Sequence, residues 1–497
     1  MNYPRLLCYL GALALLAHTN TQAFSQPSPF PAATVPSSSA SDSAEYETDE
    51  SSANAPDNLQ DKDYQNEAVE AEFAPTLLWD NGLTALDFPI HWMTVSHQGT
   101  VFLGSMFSKT FTGYSIYNGI CKGRQSLPTP AAYPPLIVGT NAIISDSSTA
   151  LLSLDAESMV INWERLPLRP PRSGNDLRKP LPRPRTNKVS PIVFADKIVT
   201  MNTDGLVLFY HNAAPDKSGF PDYIDLKTSP DEEGTFRITP IIKRQVLYTS
   251  TTTGHIHFAN LNNIQDTGVV KNLPQANRSS IAREVRTPLV AGSNSLFLTT
   301  MDGTLNCYSL FNKIGYTFNE PKLQWSVLLP SRCLYHTNRW GYPITRPVVD
   351  DMRNAVFVCT KDCVHARSCD TGEEIWHHYV PQGISCPPLL WSHYLLIVSE
   401  PKGKIPAKIT ALDPTDGHTI ASQTLRDAPS SEPVVWNNYF VVGYYNGFAE
   451  CYDLAGNAKK ADVKTSTNTT TPTEAAPENA PQASPASATE TTSEAEQ

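Results

Sequence analysis

Apolar residues in the middle of this chain fall in short runs closed by turn signals, and the order of runs and turns repeats. Pro387-Pro388-Leu389-Leu390, then Tyr394-Leu395-Leu396-Ile397-Val398, then Ala411-Leu412 ahead of Asp413-Pro414-Thr415-Asp416-Gly417 make up one unit. The next begins at Glu432-Pro433-Val434-Val435. Seven prolines, each followed by two apolar residues, mark the units: Pro135, Pro191, Pro240, Pro288, Pro347, Pro388 and Pro433, spaced 56, 49, 48, 59, 41 and 45 residues apart. Self-similarity at such a period means an array of small units that share their cores with their neighbours. Proline suits the first residue of a strand, where no ladder donor is lost.

After each proline the unit runs the same way. A second β-rich run follows, as in Lys197-Ile198-Val199-Thr200, Ser295-Leu296-Phe297-Leu298 and Ala355-Val356-Phe357-Val358, then a turn such as Asp204-Gly205, Asp302-Gly303 or Asn446-Gly447. Asp-Gly and Asn-Gly between apolar runs are the strongest short-range hairpin signals. A third run comes next, and then a fourth that often carries tryptophan: Trp163, Trp325 and Trp376. Four strands per unit of this length predict the blade of a β-propeller, an all-β fold. Thr100-Val101-Phe102-Leu103 and Gly113 to Tyr117 supply the middle strands of a further blade ahead of Pro135, which makes eight. The last unit stops after its third strand, at Tyr452-Asp453, whereas Thr76-Leu77-Leu78-Trp79-Asp80 is a lone run with the tryptophan of a fourth. Residues 76–80 are therefore expected to complete the last blade and close the ring, which removes open edges.

The turn between the third and fourth runs carries a motif. Asp155 precedes Trp163, Ser368-Cys369-Asp370-Thr371-Gly372 precedes Trp376, and Ala411-Leu412-Asp413 leads to Gly417. In physical terms the Asp accepts amide bonds of the turn, the Gly takes a backbone conformation that other residues resist, and the Trp packs between blades. The pattern resembles the Ala-x-Asp-x-x-x-Gly-x-x-x-Trp docking repeat of the quinoprotein-like (PQQ-like) eight-bladed propellers, over residues 76–456. That family includes the quinone dehydrogenases and the BamB-like outer-membrane assembly proteins. The resemblance implies the fold, and structural roles for Trp79, Asp155, Trp163, Trp325, Asp370, Trp376, Asp413 and Gly417. Two departures are visible: Met159 replaces the glycine in one unit, and Ala421 stands where another would have its tryptophan.

Residues 1–23 read as a secretory signal peptide, with Arg5, an apolar run from Leu6 to Ala17 and a small-residue cleavage site ending at Ala23. The run is too short to span a bilayer, which takes roughly 20 residues. Cys8 lies inside the run rather than just after it, so no lipid anchor is evident. Residues 24–75 carry 11 acids against the single Lys62, and residues 457–497 carry 6 acids and 3 lysines. Segments of this composition bury too little apolar surface to offset their ordering entropy and read as disordered. The net charge of −11 belongs to these ends, since residues 76–456 hold 33 basic and 32 acidic side chains. Eight cysteines remain beyond the leader, in a compartment that permits disulfides. Most read as small buried residues, while Cys359 and Cys363 flank a turn across which they could face each other.

Candidate chemistry is sparse. His255 and His257 alternate across Ile256 and form a two-imidazole zinc candidate, but a structural zinc site takes four ligands, and no third can be named. No phosphate loop, serine elbow or HExxH signature is present. A quinone enzyme of this fold needs a quinone in the centre, a Ca²⁺ held by oxygens and an acid to take the substrate proton; inward carboxylates on the first strands would mark it. The long connections say more. Arg165, Arg169, Arg172, Arg178, Arg183 and Arg185 stand between Trp163 and Pro191, Arg278 and Arg283 before Pro288, and Arg339 and Trp340 before Pro347. Each connection joins an outer strand to the next inner one, so all three emerge on one face, where arginine forks suit carboxylate or phosphate. The chain reads as an exported, noncatalytic propeller without cofactor that binds envelope proteins through this rim. Nucleic acid is a poor partner for an exported protein without a recognition motif. A quinone-dependent periplasmic dehydrogenase and a secreted glycan-binding propeller are the alternatives. The family resemblance adds outer-membrane protein assembly as one setting.

Overall fold

The computed structural model describes residues 72–456, apart from 83–85, 132, 147–149, 166–188, 212–221, 227–233, 264–265, 271–284, 286, 302, 315–316 and 330–345. Its strands form eight four-stranded antiparallel sheets, arranged as the blades of a ring. Counting from the first complete hairpin, blade 1 holds Trp92–Val95, Thr100–Gly104, Thr110–Ser115 and Cys121–Ser126. Blades 2 to 7 open with Leu136–Val138, Ile192–Phe194, Ile241–Lys243, Val290–Ala291, Val348–Asp350 and Leu389–Trp391. Six of the seven marker prolines sit directly before a first strand, and Pro288 one residue earlier. Blade 8 opens with Val434–Trp436, continues through Tyr439–Gly443 and Ala449–Asp453, and takes Thr76–Asp80 as its fourth strand, as the sequence predicts. Among the described residues no helix is long and apolar enough to cross a membrane.

Burial explains why second and third strands read as near-continuous apolar runs. A blade is covered on both faces by its neighbours, so both sets of alternating side chains are buried: Ala355–Cys359 and Tyr394–Ser399 are buried throughout. Fourth strands lie at the perimeter and return to alternation, as Leu323–Leu328 and Thr419–Thr424 show. The apolar core is divided among the seams rather than held in one place. Leu395, Ile397 and Leu412 of blade 7 pack with Phe357, Val364 and Trp376 of blade 6. Leu396 and Ile409 on blade 7's other face meet Phe440, Val442 and Tyr452 of blade 8. At the closing seam Trp79, Val441 and Cys451 of blade 8 meet Val101, Leu103 and Tyr114 of blade 1. Each such side chain contributes roughly 1.5–3 kcal/mol by leaving water.

Candidate functional site

The tryptophans show how one blade grips the next. Trp79, Trp163, Trp325 and Trp376 occupy one register, opposite Cys451, Ser153, Cys307 and Ala366 and just after a bulge in their own strand. From there Trp79 covers Gly119, Trp325 covers Gly372 and Trp376 covers Gly417, each glycine lying in the next blade's turn between third and fourth strands. A Cβ on these glycines would come within 2.8, 2.7 and 2.5 Å of the respective indole, and each has a positive φ (68°, 73° and 76°). The indole N–H groups donate to Ile116 O at 2.6 Å, Cys369 O at 3.0 Å and Pro414 O at 2.9 Å. A planar ring therefore needs a bare backbone beneath it and a carbonyl beside it. Trp163 packs with Ile198, Leu208 and Tyr210 of blade 3.

The acids of the motif divide. Asp155 Oδ1 accepts the Ser158 amide at 2.8 Å and the Glu157 amide at 3.2 Å, and the Ser158 amide bond is the largest influence holding its carboxyl below the usual value. Asp413 Oδ1 accepts the Thr415 amide at 2.7 Å. Asp370 does not do this: it accepts Asn354 Nδ2 at 2.8 Å, and Ser368 Oγ takes the turn amide of Thr371 at 3.3 Å instead. Ser368 stands four residues before the glycine, the spacing of Asp413 from Gly417, so serine fills the acid's place in blade 6.

Four blades lack the tryptophan: blades 3 and 4 hold Asp222 and Gly268 in that register, opposite Phe209 and Phe258, and the seams after blades 1 and 7 show what takes its place. In blade 1 the tryptophan register holds Gly123, opposite Gly113, and in blade 2 the turn glycine is Met159, at φ 61°. The side chain lost on one side is supplied from the other: Met159 runs back over both glycines, and Gln125 Nε2 donates to Met159 O at 2.7 Å. In blade 7 the register holds Ala421, opposite Ala411. There the residues leading into the Thr76–Asp80 strand stand in. Ala74 N–H donates to Leu454 O at 2.8 Å, and Ala74 lies over Gly456, which keeps a positive φ of 64°.

The two histidines of the zinc candidate differ in placement. The strand begins at Ile256, so His255 precedes it. His257 is buried, with Nδ1 3.2 Å from Leu226 O and its ring edge-on to Phe236 at 4.8 Å. Among the described residues the one group of three side chains able to gather on an ion is Asp413, Asp416 and His418. It lies in an exposed turn, and Asp416 Oδ1 already accepts the His418 amide at 3.0 Å, with His418 Nδ1 at 2.6 Å. Cys359 and Cys363 do not face each other: the register sets Cys359 opposite Val364. Six of the seven described cysteines are buried, and Cys121 is exposed. Burial pushes Cys307 up to about 11 and Cys369 up to about 12, which leaves both unreactive at neutral pH.

The channel and one loop face contrast sharply. The eight first strands are almost wholly apolar, and their charged residues are Lys243 and Asp350; Asp350 is buried and paired with Arg353 at 2.6 Å. The face made by the connections between blades and by the turns between second and third strands is different. Arg346, entering blade 6, pairs with Glu432, entering blade 8, through Nε to Oε1 at 2.9 Å, so this pair skips blade 7. Lys361 and Glu400 link blades 6 and 7 at 2.8 Å. Such half-exposed pairs are worth about 0–1 kcal/mol. On the same face at blades 8 and 1 lie four exposed apolar side chains: Phe88, Met106, Phe107 and Tyr445. The Phe88 segment is tied to the 444–448 turn through Leu86 N–H to Gly447 O at 3.0 Å, and Phe107 rests edge-on against His91 at 4.9 Å. Aromatic side chains at turns gave no periodic signal in the sequence, which is why this patch was not foreseen. Of the arginine rim, Arg165 is described: its guanidinium sits 4.6 Å over the Tyr210 ring, within the seam between blades 2 and 3. Arg169, Arg172, Arg178, Arg183, Arg185, Arg278, Arg283, Arg339 and Trp340 lie outside the described residues.

The architecture is that of an eight-bladed β-propeller. BamB from Moraxella catarrhalis is similar in structure at 14% identity, with a TM-score of 0.52 over 76% of this chain and 100% of its own. Quinohemoprotein alcohol dehydrogenase from Comamonas testosteroni gives 8%, 0.54, and 77% of each chain. Sqt1 from Saccharomyces cerevisiae gives 9%, 0.53, and 74% and 96%. No protein-family profile and no curated protein matches the sequence. At these identities the likeness is one of fold.

Proposed function

We propose that the protein is an exported propeller that serves as a protein-interaction scaffold in the bacterial cell envelope, without chemistry of its own. The observation that carries this reading is the contrast between first strands that are almost wholly apolar and a loop face bearing exposed Phe107 and Tyr445 beside charged pairs. Aromatic side chains are the preferred anchors of protein interfaces, and in the sequence three other connections between blades are rich in arginine, which suits carboxylate or phosphate groups of a partner. The leader-like residues 1–23 support export. The similarity to BamB supports the envelope, with outer-membrane protein assembly as a setting. A quinone-dependent dehydrogenase is the second reading, favoured by the similarity to the quinohemoprotein enzyme. It needs oxygen ligands for Ca²⁺ and a proton acceptor facing the channel, where the first strands offer Asp350, already engaged by Arg353.

Two measurements separate the readings. Titration of PQQ with Ca²⁺, followed by quinone absorbance and dye reduction with simple alcohols, is expected to show no saturable binding; binding with turnover would overturn the scaffold reading. Charge reversal at Arg169, Arg183, Arg283 and Arg339 is expected to abolish recovery of partners from envelope extracts while leaving the melting temperature unchanged. Undiminished recovery would remove the rim from the account.

A further inference from the structure

We propose that the pocket between blades 6 and 7 is a binding site for a carboxylate group carried on a short aliphatic chain. The pocket has a volume of about 180 Å³, and its walls include His378, Val380 and Gln382 from blade 6 and the connection after it, and Lys408, Thr410 and Ser422 from blade 7. That is below the roughly 300–1,000 Å³ of small-molecule sites, so it takes a group of side-chain size. Residues 346–456 are described without a break, and the whole lining falls within them.

Strand alternation explains which side chains meet there. Leu412 packs with Trp376 of blade 6, so Lys408 and Thr410, at even spacing on the same strand, also face blade 6. The register sets Ser422 opposite Thr410 and Thr419 opposite Leu412, on that same face. From blade 6, Trp376 covers Gly417 at one end of the seam. Toward the loop face it is followed on the same side by the smaller His378 and Val380. The polar groups around the pocket then divide into those already engaged and those left over. Gln382 Nε2 donates to Pro406 O at 2.9 Å, Ser399 Oγ accepts the Lys408 amide at 3.2 Å, and Lys402 Nζ donates to Pro381 O at 2.8 Å, which ties the two sides of the mouth together. Among the described residues the Lys408 ammonium and the hydroxyls of Thr410, Thr419 and Ser422 have no such partner.

No acid lines the pocket, so Lys408 stands there as a half-buried charge without a counter-ion, which is costly unless one is supplied. His378 adds no charge at neutral pH, because burial holds its pKa below the usual value. One ammonium and three hydroxyls offer a single positive charge and several donors. A carboxylate matches that charge and accepts from those donors through charge-assisted hydrogen bonds, whereas a phosphate dianion would keep one charge unpaired. Val380, Ile397 and Leu412 give methylene groups an apolar wall. The lysine is particular to this seam. Three residues ahead of the one that faces the tryptophan register, the other blades carry Thr110, Ala150, Leu206, His255, Thr304, Cys363 and Phe448, none of them a lysine, arginine or acid. The fold therefore does not require a cation at this place. The site lies at blades 6 and 7, away from the patch at blades 8 and 1, so it stands or fails independently of the proposed function.

The test is saturation-transfer NMR of butyrate with the full chain at neutral pH. Saturable binding is expected, at least tenfold weaker in Lys408→Met and unchanged in Lys404→Met, which removes an exposed lysine of the neighbouring turn. Lys408→Gln serves should the first variant fold poorly. Butylamine is expected to give no signal, and methyl phosphate no tighter binding than butyrate. The α-amide of N-acetylglutamate separates two sources of the group: binding as tight as that of butyrate assigns the pocket to an acidic side chain of a polypeptide, and weaker binding assigns it to a free acid. Absence of saturable butyrate binding, undiminished binding in the Lys408 variants, equal weakening in Lys404→Met, or a preference for methyl phosphate or butylamine would overturn the proposal.

Discussion

A tryptophan in this ring acts across a seam, so its worth depends on what the next blade places beneath it. Trp376→Ala removes an indole from Gly417 and leaves Pro414 O without its donor, and should cost about 3–5 kcal/mol, read as a lower urea midpoint. Trp376→Phe keeps most of the buried surface and loses the N–H donor, so about 1 kcal/mol is expected. The seam between blades 1 and 2 offers a stricter test, because Gly123 and Met159 exchange the roles of tryptophan and glycine. Gly123→Trp alone drives an indole into Met159, and Met159→Gly alone opens a void. The double variant should be more stable than the sum of the singles by about 0.5–3 kcal/mol, the range for residues in contact; strict additivity would show that the two do not share a seat. Thiol reactivity follows burial. Cys121 is exposed while Cys307, Cys369, Cys386 and Cys451 are buried, so Cys121→Ser should remove one equivalent from the fast phase of native-state thiol titration. The buried four should react only on unfolding.

The strand of greatest consequence is Thr76–Asp80, far in sequence from the three strands it completes. Deleting residues 76–80 removes Trp79 from Gly119 and bares the edge of Ala449–Asp453, and aggregation or unfolding is the expected result. An unchanged melting temperature would contradict closure by this strand. Its place was legible because a lone β-run with a tryptophan and a final unit lacking its fourth strand complement each other. The blade count was legible for a similar reason: burial on both faces makes second and third strands continuously apolar, and Asp-Gly or Asn-Gly turns separate them. Functional detail was harder to read. Nothing in Ser368 marks it as a stand-in for an acid, since its role comes from spacing within a turn. Cys359 and Cys363 flank a turn without facing each other, because the hairpin register, set by Thr360 N–H to Cys363 O at 2.8 Å, places Val364 opposite Cys359. The patch of Phe88, Met106, Phe107 and Tyr445 joins residues hundreds of positions apart that meet only once the ring closes.

Among the described residues the eight blades have almost wholly apolar first strands, and one loop face carries exposed aromatic and charged side chains. Fold alone does not decide between a scaffold and an enzyme. Residue-specific photocrosslinking in the native envelope tests the central claim most directly. A photoreactive phenylalanine would replace Phe107 or Tyr445 on the loop face, 67% and 61% exposed, or Met352 on the opposite face, 86% exposed. The account predicts discrete adducts with the same partner polypeptide from Phe107 and Tyr445 and none from Met352. Equal adducts from all three positions, or none from the loop face, would contradict it.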